Sequence, residues 1–568
     1  MHIGDTAFGQ IARALSGGKR FAHPESSSKV NMEHQHKKGL GGGHEPQEPG
    51  SNVTPAWLSY AMRWSNAESK ASLATSQLSE TSLSADGTSN AVNVVTWYGD
   101  KDPANPQNWS SAEKAYVAGL ICLYTFAVYM GSAVYTPSLE GVMREFNVSY
   151  AAGNLGLALF VFGYGSGAML FSPLSEIPAV GRNWIYIITT FLGLLFSIGA
   201  ALAPNFGSLL VFRFLAGFMG SPALATGGAT LQDIYSITKI PHGIALWVAA
   251  ASMGPALGPV MGGFAAQAKG WRWPLWIEVW LIAPVLLVMI FTLPETSHQN
   301  ILYRRAKRLR VATGQNSLQS EGEMEQKKLT VSKMVIENLV RPVQISVLDP
   351  GTGFMNAYVS LVYAIYYSFF ESFPLIYPVI YGFTLGTTGV AFVSVVVTTA
   401  IGAACYTYYI YFYVEPKIRG TGELPVLESR LLPAIPASLL MPVGLFLYAW
   451  SARESVHWMV SLIGVGIYSI GFYVFLQCVL LYIPLMYPKY SASLLAANDF
   501  CRSSLATGFI MAGRPLFKNL GIGGGVSLIA GLTVLCIPAL LLLYRHGAYL
   551  RSKSNFAGMP DSAKTTHT

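Results

Sequence analysis

Residues 244–266 read IALWVAAASMGPALGPVMGGFAA. The stretch contains no Asp, Glu, Lys, Arg or His. About 20 mostly apolar residues suffice to cross a bilayer, so the segment is long enough for a transmembrane helix. Gly254, Gly258 and Gly262 recur every four residues, which places them on one helix face. A face without side chains lets a neighbouring helix backbone come close. Pro255 and Pro259 each remove a backbone donor and bend the helix, and Gly263 extends the smooth surface.

Working outward from this segment, eleven more of the same kind fill the chain. They lie at roughly 115–137, 151–171, 184–203, 207–231, 273–293, 353–378, 386–412, 432–450, 458–483, 491–512 and 522–544. Six precede a charged stretch at 295–350 and six follow it. Of the 568 residues 52% are hydrophobic and only 12% charged. A soluble domain carries about 25% charged residues, so a cytosolic enzyme, a secreted disulfide scaffold and a disordered regulator are all excluded. The fold class is an all-α membrane protein with twelve spans in two six-helix halves. Its divisions are a disordered N-terminal tail (1–100), an N-terminal half (101–294), a central loop (295–350), a C-terminal half (351–545) and a C-terminal tail (546–568). Within the first tail, a short helix is expected near Phe8–Leu15.

Loop charge sets the orientation. Arg182, Lys239, Lys417, Arg419, Arg430, Lys489, Arg545, Arg551 and Lys553 fall on the side that holds both termini. That side also holds Arg304, Arg305, Lys307, Arg308 and Arg310 of the central loop. The positive-inside rule makes it the cytosol. The net charge of +8 therefore belongs to a membrane protein and not to a nucleic-acid binder, and NILYRRAKRLR (Asn300–Arg310) reads as an amphipathic helix against anionic headgroups. Asn147-Val148-Ser149 is a glycosylation sequon in the first outer loop.

Signatures of catalysis are missing. The chain has no GxxxxGK[ST], HExxH or GxSxG, and no His lies within any expected span. It is read as a non-enzyme without cofactor or metal. The five cysteines sit in apolar stretches without paired spacing and serve as packing residues. What remains are charges at unusual depth. Glu176 and Arg182 flank a tight turn after the second span, and Asp233 ends the fourth at the same depth. These three are expected to form a latch that pairs in one conformation and releases in another. Arg213 lies about 12 Å into the fourth span, ahead of Gly217 and Gly220, where it must find an acceptor. The seventh span presents Tyr363, Tyr366, Tyr367 and Phe370 near one face. With Asn356 and Gln477 as polar contacts, they are the expected lining of a substrate cavity.

These motifs together resemble the major facilitator superfamily. Gly254–Gly263 is similar to its antiporter motif, Ser172–Arg182 to its second-to-third-span loop, and Arg213-Phe-Leu-Ala-Gly217 to its fourth-span motif. Asp102-Pro-Ala-Asn-Pro-Gln-Asn-Trp109, Pro294-Glu295-Thr296 and Ser493–Arg502 (SLLAANDFCR) resemble the twelve-span fungal drug:proton antiporters of the benomyl/fluconazole-resistance type. The resemblance covers about 100–553. Glu176 stands where the loop motif usually has Asp, two extra residues separate it from Gly181, and only Arg182 remains of the basic cluster.

The resemblance implies alternating access and proton-driven export of lipophilic small molecules: fungicides, other xenobiotics or the cell's own secondary metabolites. A monomer in the plasma membrane with both termini cytosolic is expected, a vacuolar or vesicle membrane being the alternative. Asp499, one turn from Arg502, and Arg213 are the expected coupling elements. Glu278 and Glu371 are read as interface pairs. The rival readings are a proton-coupled nutrient importer and a non-transporting receptor.

Overall fold

Inside a bilayer no water satisfies backbone N–H and C=O groups, so long apolar segments close their hydrogen bonds internally and become helices. The computed structural model of the chain describes residues 5–16, 93–327, 341–421, 426–486 and 491–552. Most of the expected tail 1–100, with its His34, His36 and His44, lies outside these residues, as do Lys489 and Lys553.

The spans follow one another as Ser111–Ala133, Tyr150–Glu176, Asn183–Ala201, Phe206–Gly220, Ile240–Lys269 and Trp273–Thr292 in the first half of the chain. The second half has Pro350–Tyr381, Val393–Tyr409, Ala434–Ser451 and Trp458–Met486. A last helical run, Ser491–Ser552, is broken at Gly521 (φ 71°, ψ 164°). A left-handed φ of this kind is tolerated by glycine. The run therefore supplies the eleventh and twelfth spans. The fourth span continues beyond Gly220 through the short helices Pro222–Ala225 and Gly227–Ile234. Phe264, Trp280, Val443 and Leu535 are more than half exposed on these helices, as lipid-facing side chains must be. The protein is a multi-pass membrane protein. The side where the first span begins is called the near side below, and the opposite one the far side.

Contacts divide the chain into two compact units. The first is drawn from Met1–Lys114, Ser175–Trp184 and Ile290–Lys333, the second from Ala115–Leu174, Ile185–Met289 and Met334–Thr568. The first unit contains the expected short helix, Ala7–Leu15. The Phe8 ring packs 5.1 Å from Phe291, and Gln10 accepts a hydrogen bond from the Trp184 indole at 2.9 Å. The described part of the tail also has regular structure that the sequence reading lacked: Asn93–Val95 pairs in parallel with Leu318–Ser320. Beneath this pair Val95, Ala306, Leu309 and Leu318 form a small apolar core.

A buried ion pair organises the same unit. Arg305 Nη1 lies 2.7 Å from Asp102 Oδ2, and its guanidinium sits 3.9 Å from the centre of the Tyr98 ring. Burial pushes the Asp102 carboxyl up, but the Arg305 hydrogen bond and the N–H groups of Tyr98 and Ala104 outweigh it and hold the group below its ordinary value. A depressed carboxyl contributes stability above the unfolded-state value, about 3.9, and loses it as the pH falls through the folded-state value. Arg305→Ala leaves Asp102 buried and unpaired, at a cost of about 3–5 kcal/mol. Limited proteolysis at neutral pH should then release the 93–109 segment, which stays protected in the native chain. Equal protection in both would show that the pair does not hold the segment.

Candidate functional site

The glycine face of the fifth span packs on the first. A Cβ added at Gly254 would lie 2.8 Å from Phe126 O, at Gly258 2.7 Å from Val134 N, and at Gly262 2.7 Å from Val134 O. At Gly263 it would meet Leu385 O at 2.7 Å, so the end of this span also presses on the start of the eighth. These are backbone atoms, which cannot turn aside as a side-chain tip can. Pro255 lines the cavity described below.

Arg213 is 1% exposed, and it holds four spans together. Its Nε donates to Gly156 O (3.1 Å), Nη1 to Gly131 O (2.9 Å) and to Glu278 Oε2 (3.3 Å), and Nη2 to Ser132 O (3.2 Å). The Phe160 ring caps the guanidinium at 4.3 Å. Glu278 also accepts from Ser197 Oγ at 3.0 Å. Gly131 has no side chain because the carboxylate occupies that space, 2.5 Å from where a Cβ would stand.

The eleventh span carries the second buried pair. Arg502 Nη2 donates to Asp499 Oδ1. Its guanidinium lies 4.9 Å from the centre of the Tyr363 ring. From there hydroxyl groups continue: Tyr363 with Tyr164 at 2.6 Å, Tyr164 with Tyr367 at 3.3 Å, and Tyr367 with Ser132 at 3.1 Å. The chain of side chains thus links spans eleven, seven, two and one.

Beside this network is a small cavity in the middle of the bundle. Tyr129, Trp247, Tyr363, Tyr366 and Phe472 line it with rings, and Arg502 is the one charged lining residue among those described. A second and roomier cavity is lined on the near side by Pro241, Arg430 and Pro484, and Leu480 lines both cavities. Side-chain pairs close the bundle on each side of the centre. On the far side Glu371 accepts from Tyr150 Oη (2.9 Å) and from Asn154 Nδ2 (2.8 Å), and Asn154 also donates to Ile510 O. On the near side His242 Nε2 lies 2.9 Å from Glu415 Oε1, between the fifth span and the end of the eighth.

Several expected residues stand elsewhere. Asn356 does not line the cavity but accepts from Asn498 Nδ2 at 2.7 Å, and Gln477 donates to Pro241 O at 3.3 Å. Each gives one amide atom to another helix, since a polar group within a span needs a partner, and each keeps its other amide atom, Asn356 Nδ2 or Gln477 Oε1, without a partner among the described residues. Tyr367 serves the hydroxyl network, and Phe370 stacks on Phe392 at 4.9 Å. Only Tyr363 and Tyr366 of the expected set face the cavity. The turn after the second span is held from an unexpected quarter. Glu295 accepts the backbone N–H of Arg182 (3.1 Å) and of Asn183 (3.3 Å), and Gly181 (φ 75°) leaves room for that carboxylate. Arg182 is therefore anchored within the first unit, together with Glu176, while Asp233 belongs to the second unit. Asn147 is exposed, in the left-handed conformation that ends the helix Leu139–Phe146.

The sequence motifs do not mark Tyr129, His242 or Glu415, and they mark Glu295 only as part of a family-like motif. His242 was passed over because the fifth span was started at residue 244, whereas the helix begins at Ile240.

A ring-lined cavity within a multi-pass bundle, with side-chain pairs joining helices on each side of it, fits a membrane carrier. The Major Facilitator Superfamily profile matches residues 121–511, and the chain belongs to that superfamily. It is 41% identical over 464 residues to the MFS-type transporter pyvG of Aspergillus violaceofuscus, covering 82% of this chain and 85% of that one. It is 35% identical over 467 residues to Fluconazole resistance protein 1 of Saccharomyces cerevisiae, covering 81% and 84%. The proton:xylose symporter XylE of E. coli shares the fold, with a TM-score of 0.56 at 15% identity over 77% of this chain and 96% of that one.

Proposed function

We propose that the protein exports lipophilic small molecules in exchange for protons by alternating access. The observation that carries the reading is the mid-span cavity, with its many rings and a single charge already paired to a buried acid. Such a surface takes varied apolar compounds with little hydrogen-bond demand. The relative named for fluconazole resistance supports a drug or metabolite as cargo.

On this reading the near side is the cytosol, both termini lie there, and the protein works as a monomer in the plasma membrane. Cargo enters through the near-side cavity, passes Leu480 and reaches the centre. Two six-helix halves, 101–294 and 351–545, then rock about it. The Glu371 clasp opens toward the outside, and the His242–Glu415 pair opens toward the cytosol. Asp499 carries the proton and Arg502 answers its charge. The turn at Glu176 and Arg182 adjusts as the near side opens, and so does Asp233 at the end of the fourth span.

Flux in sealed vesicles tests this. With the near side outward and an imposed proton gradient, a lipophilic dye should accumulate, and protons should leave as it does. A receptor moves nothing, and an importer moves cargo and protons in the same direction. Asp499→Asn should lower gradient-driven flux roughly tenfold, the equivalent of about 1.4 kcal/mol on the barrier, and flatten its dependence on external pH. Unchanged flux with an unchanged pH profile would remove Asp499 from the coupling.

A further inference from the structure

Most polar groups on the rings around the central cavity are already engaged. The Trp247 indole donates to Thr125 Oγ1 at 3.0 Å, Tyr363 Oη bonds to Tyr164 Oη at 2.6 Å, and Tyr366 Oη donates to Ser252 O at 2.9 Å. Two groups break the pattern. Tyr129 Oη and Arg502 Nε have no hydrogen-bond partner among the described residues, though Tyr129 is 3% exposed and Arg502 4%. Both residues line the cavity, from the first and the eleventh spans. Tyr129 is held in place by the Tyr164 ring, 5.1 Å away, and Arg502 by Asp499 and the Tyr363 ring.

A buried donor without a partner costs about 1–3 kcal/mol. The cost is recovered when a ligand brings an acceptor. We propose that Tyr129 and Arg502 form an acceptor subsite. It would select ring-bearing cargo that carries a carbonyl, an aromatic nitrogen or another hydrogen-bond acceptor, and it would disfavour cations. The proposal rests on the reading of this cavity as the cargo site, and it deepens that reading.

The rings supply contact area without direction, so they hold any flat lipophile. The two donors supply direction. A cargo with an acceptor turns it toward Tyr129 Oη and Arg502 Nε and lays its rings against Tyr366 and Phe472. A cargo without one leaves both donors unpaired. Sites built to hydrogen-bond a ligand discriminate against analogues lacking the group far more strongly than apolar pockets discriminate by size. A lipophilic cation offers neither donor an acceptor, and burying its charge beside a guanidinium that is already paired to Asp499 is unfavourable. Arg502 keeps its charge paired to Asp499 through Nη2, so an acceptor at Nε adds a bond and breaks none.

The test uses full-length protein in lipid nanodiscs without a gradient, and three probes. Benzophenone has two rings and a carbonyl, diphenylmethane has the same rings without an acceptor, and tetraphenylphosphonium is a lipophilic cation. Benzophenone should bind roughly tenfold tighter than diphenylmethane, one bond's worth of affinity, and tetraphenylphosphonium should bind most weakly. Tyr129→Phe removes a single oxygen and should cut the ratio of benzophenone to diphenylmethane affinity about threefold. Arg502→Lys keeps a charge for Asp499, removes Nε and should cut the ratio likewise. Equal binding of the two neutral probes by the native protein would overturn the subsite. So would a ratio unmoved in both variants, or a cation bound as tightly as the ketone. Because binding needs no gradient, discrimination without flux in sealed vesicles would uphold the subsite and reject export, while flux without discrimination would do the reverse.

Discussion

Arg213→Ala abolishes export, and the loss begins with folding. Its guanidinium reaches three backbone carbonyls on the first and second spans and the Glu278 carboxylate on the sixth. Truncation removes all four contacts and leaves Glu278, 2% exposed, as a lone buried acid. Breaking a buried pair from one side costs about 3–5 kcal/mol, a large share of the stability of an ordinary domain. The expected result is little folded protein in the membrane and no flux. Replacing both partners with apolar residues of similar volume is often neutral for stability. The double variant Arg213→Met with Glu278→Leu should therefore return folded protein toward the native level. If Arg213 belongs to the coupling, this folded variant still transports nothing. Native flux from the double variant would reduce the pair to a structural staple.

Gly258→Leu has the second-largest expected effect. The first atom of any side chain at this position meets Val134 N at 2.7 Å, Ala133 C at 3.0 Å and Met130 O at 3.0 Å. All three are backbone atoms at the end of the first span, so relief requires the first and fifth spans to separate. Overpacking a core that can adjust costs about 1–3 kcal/mol, and a rigid backbone raises the cost. The fifth span also carries Trp247, Val248, Ala251 and Ser252 to the cavity. Separation therefore displaces the cargo site as well as the seam. Export should fall to background, whereas Gly258→Ala, with one added atom, should retain part of it. Wild-type flux in the leucine variant would show that close approach of the two helices is not required.

The pattern of residues explains which features were legible. The spans could be read because bilayer thickness imposes a length and a composition on each one. The fifth-span seam could be read because helical geometry repeats Gly254, Gly258 and Gly262 at a fixed interval. Partners were harder. The depth of Arg213 required an acceptor, but its carboxylate lies 65 residues away, and nothing local marks Glu278 as that group. His242 and Glu415 are 173 residues apart and meet only after the fifth and eighth spans pack. Tyr129 lies in an ordinary apolar span, and only packing brings its unpartnered hydroxyl to the cavity wall. Asn356 and Gln477 show the opposite case. Each was assigned to cargo because it was polar, yet a polar group within a span is first claimed by another helix.

Ser252 lines the central cavity, so a cysteine at that position tests alternating access most directly. In a chain whose five native cysteines are replaced, Ser252→Cys should react with a membrane-impermeant thiol reagent added on either face. Acidic conditions outside and cargo inside should move the reactivity from one face to the other. A cysteine reached from a single face under every combination of cargo and pH would contradict the account.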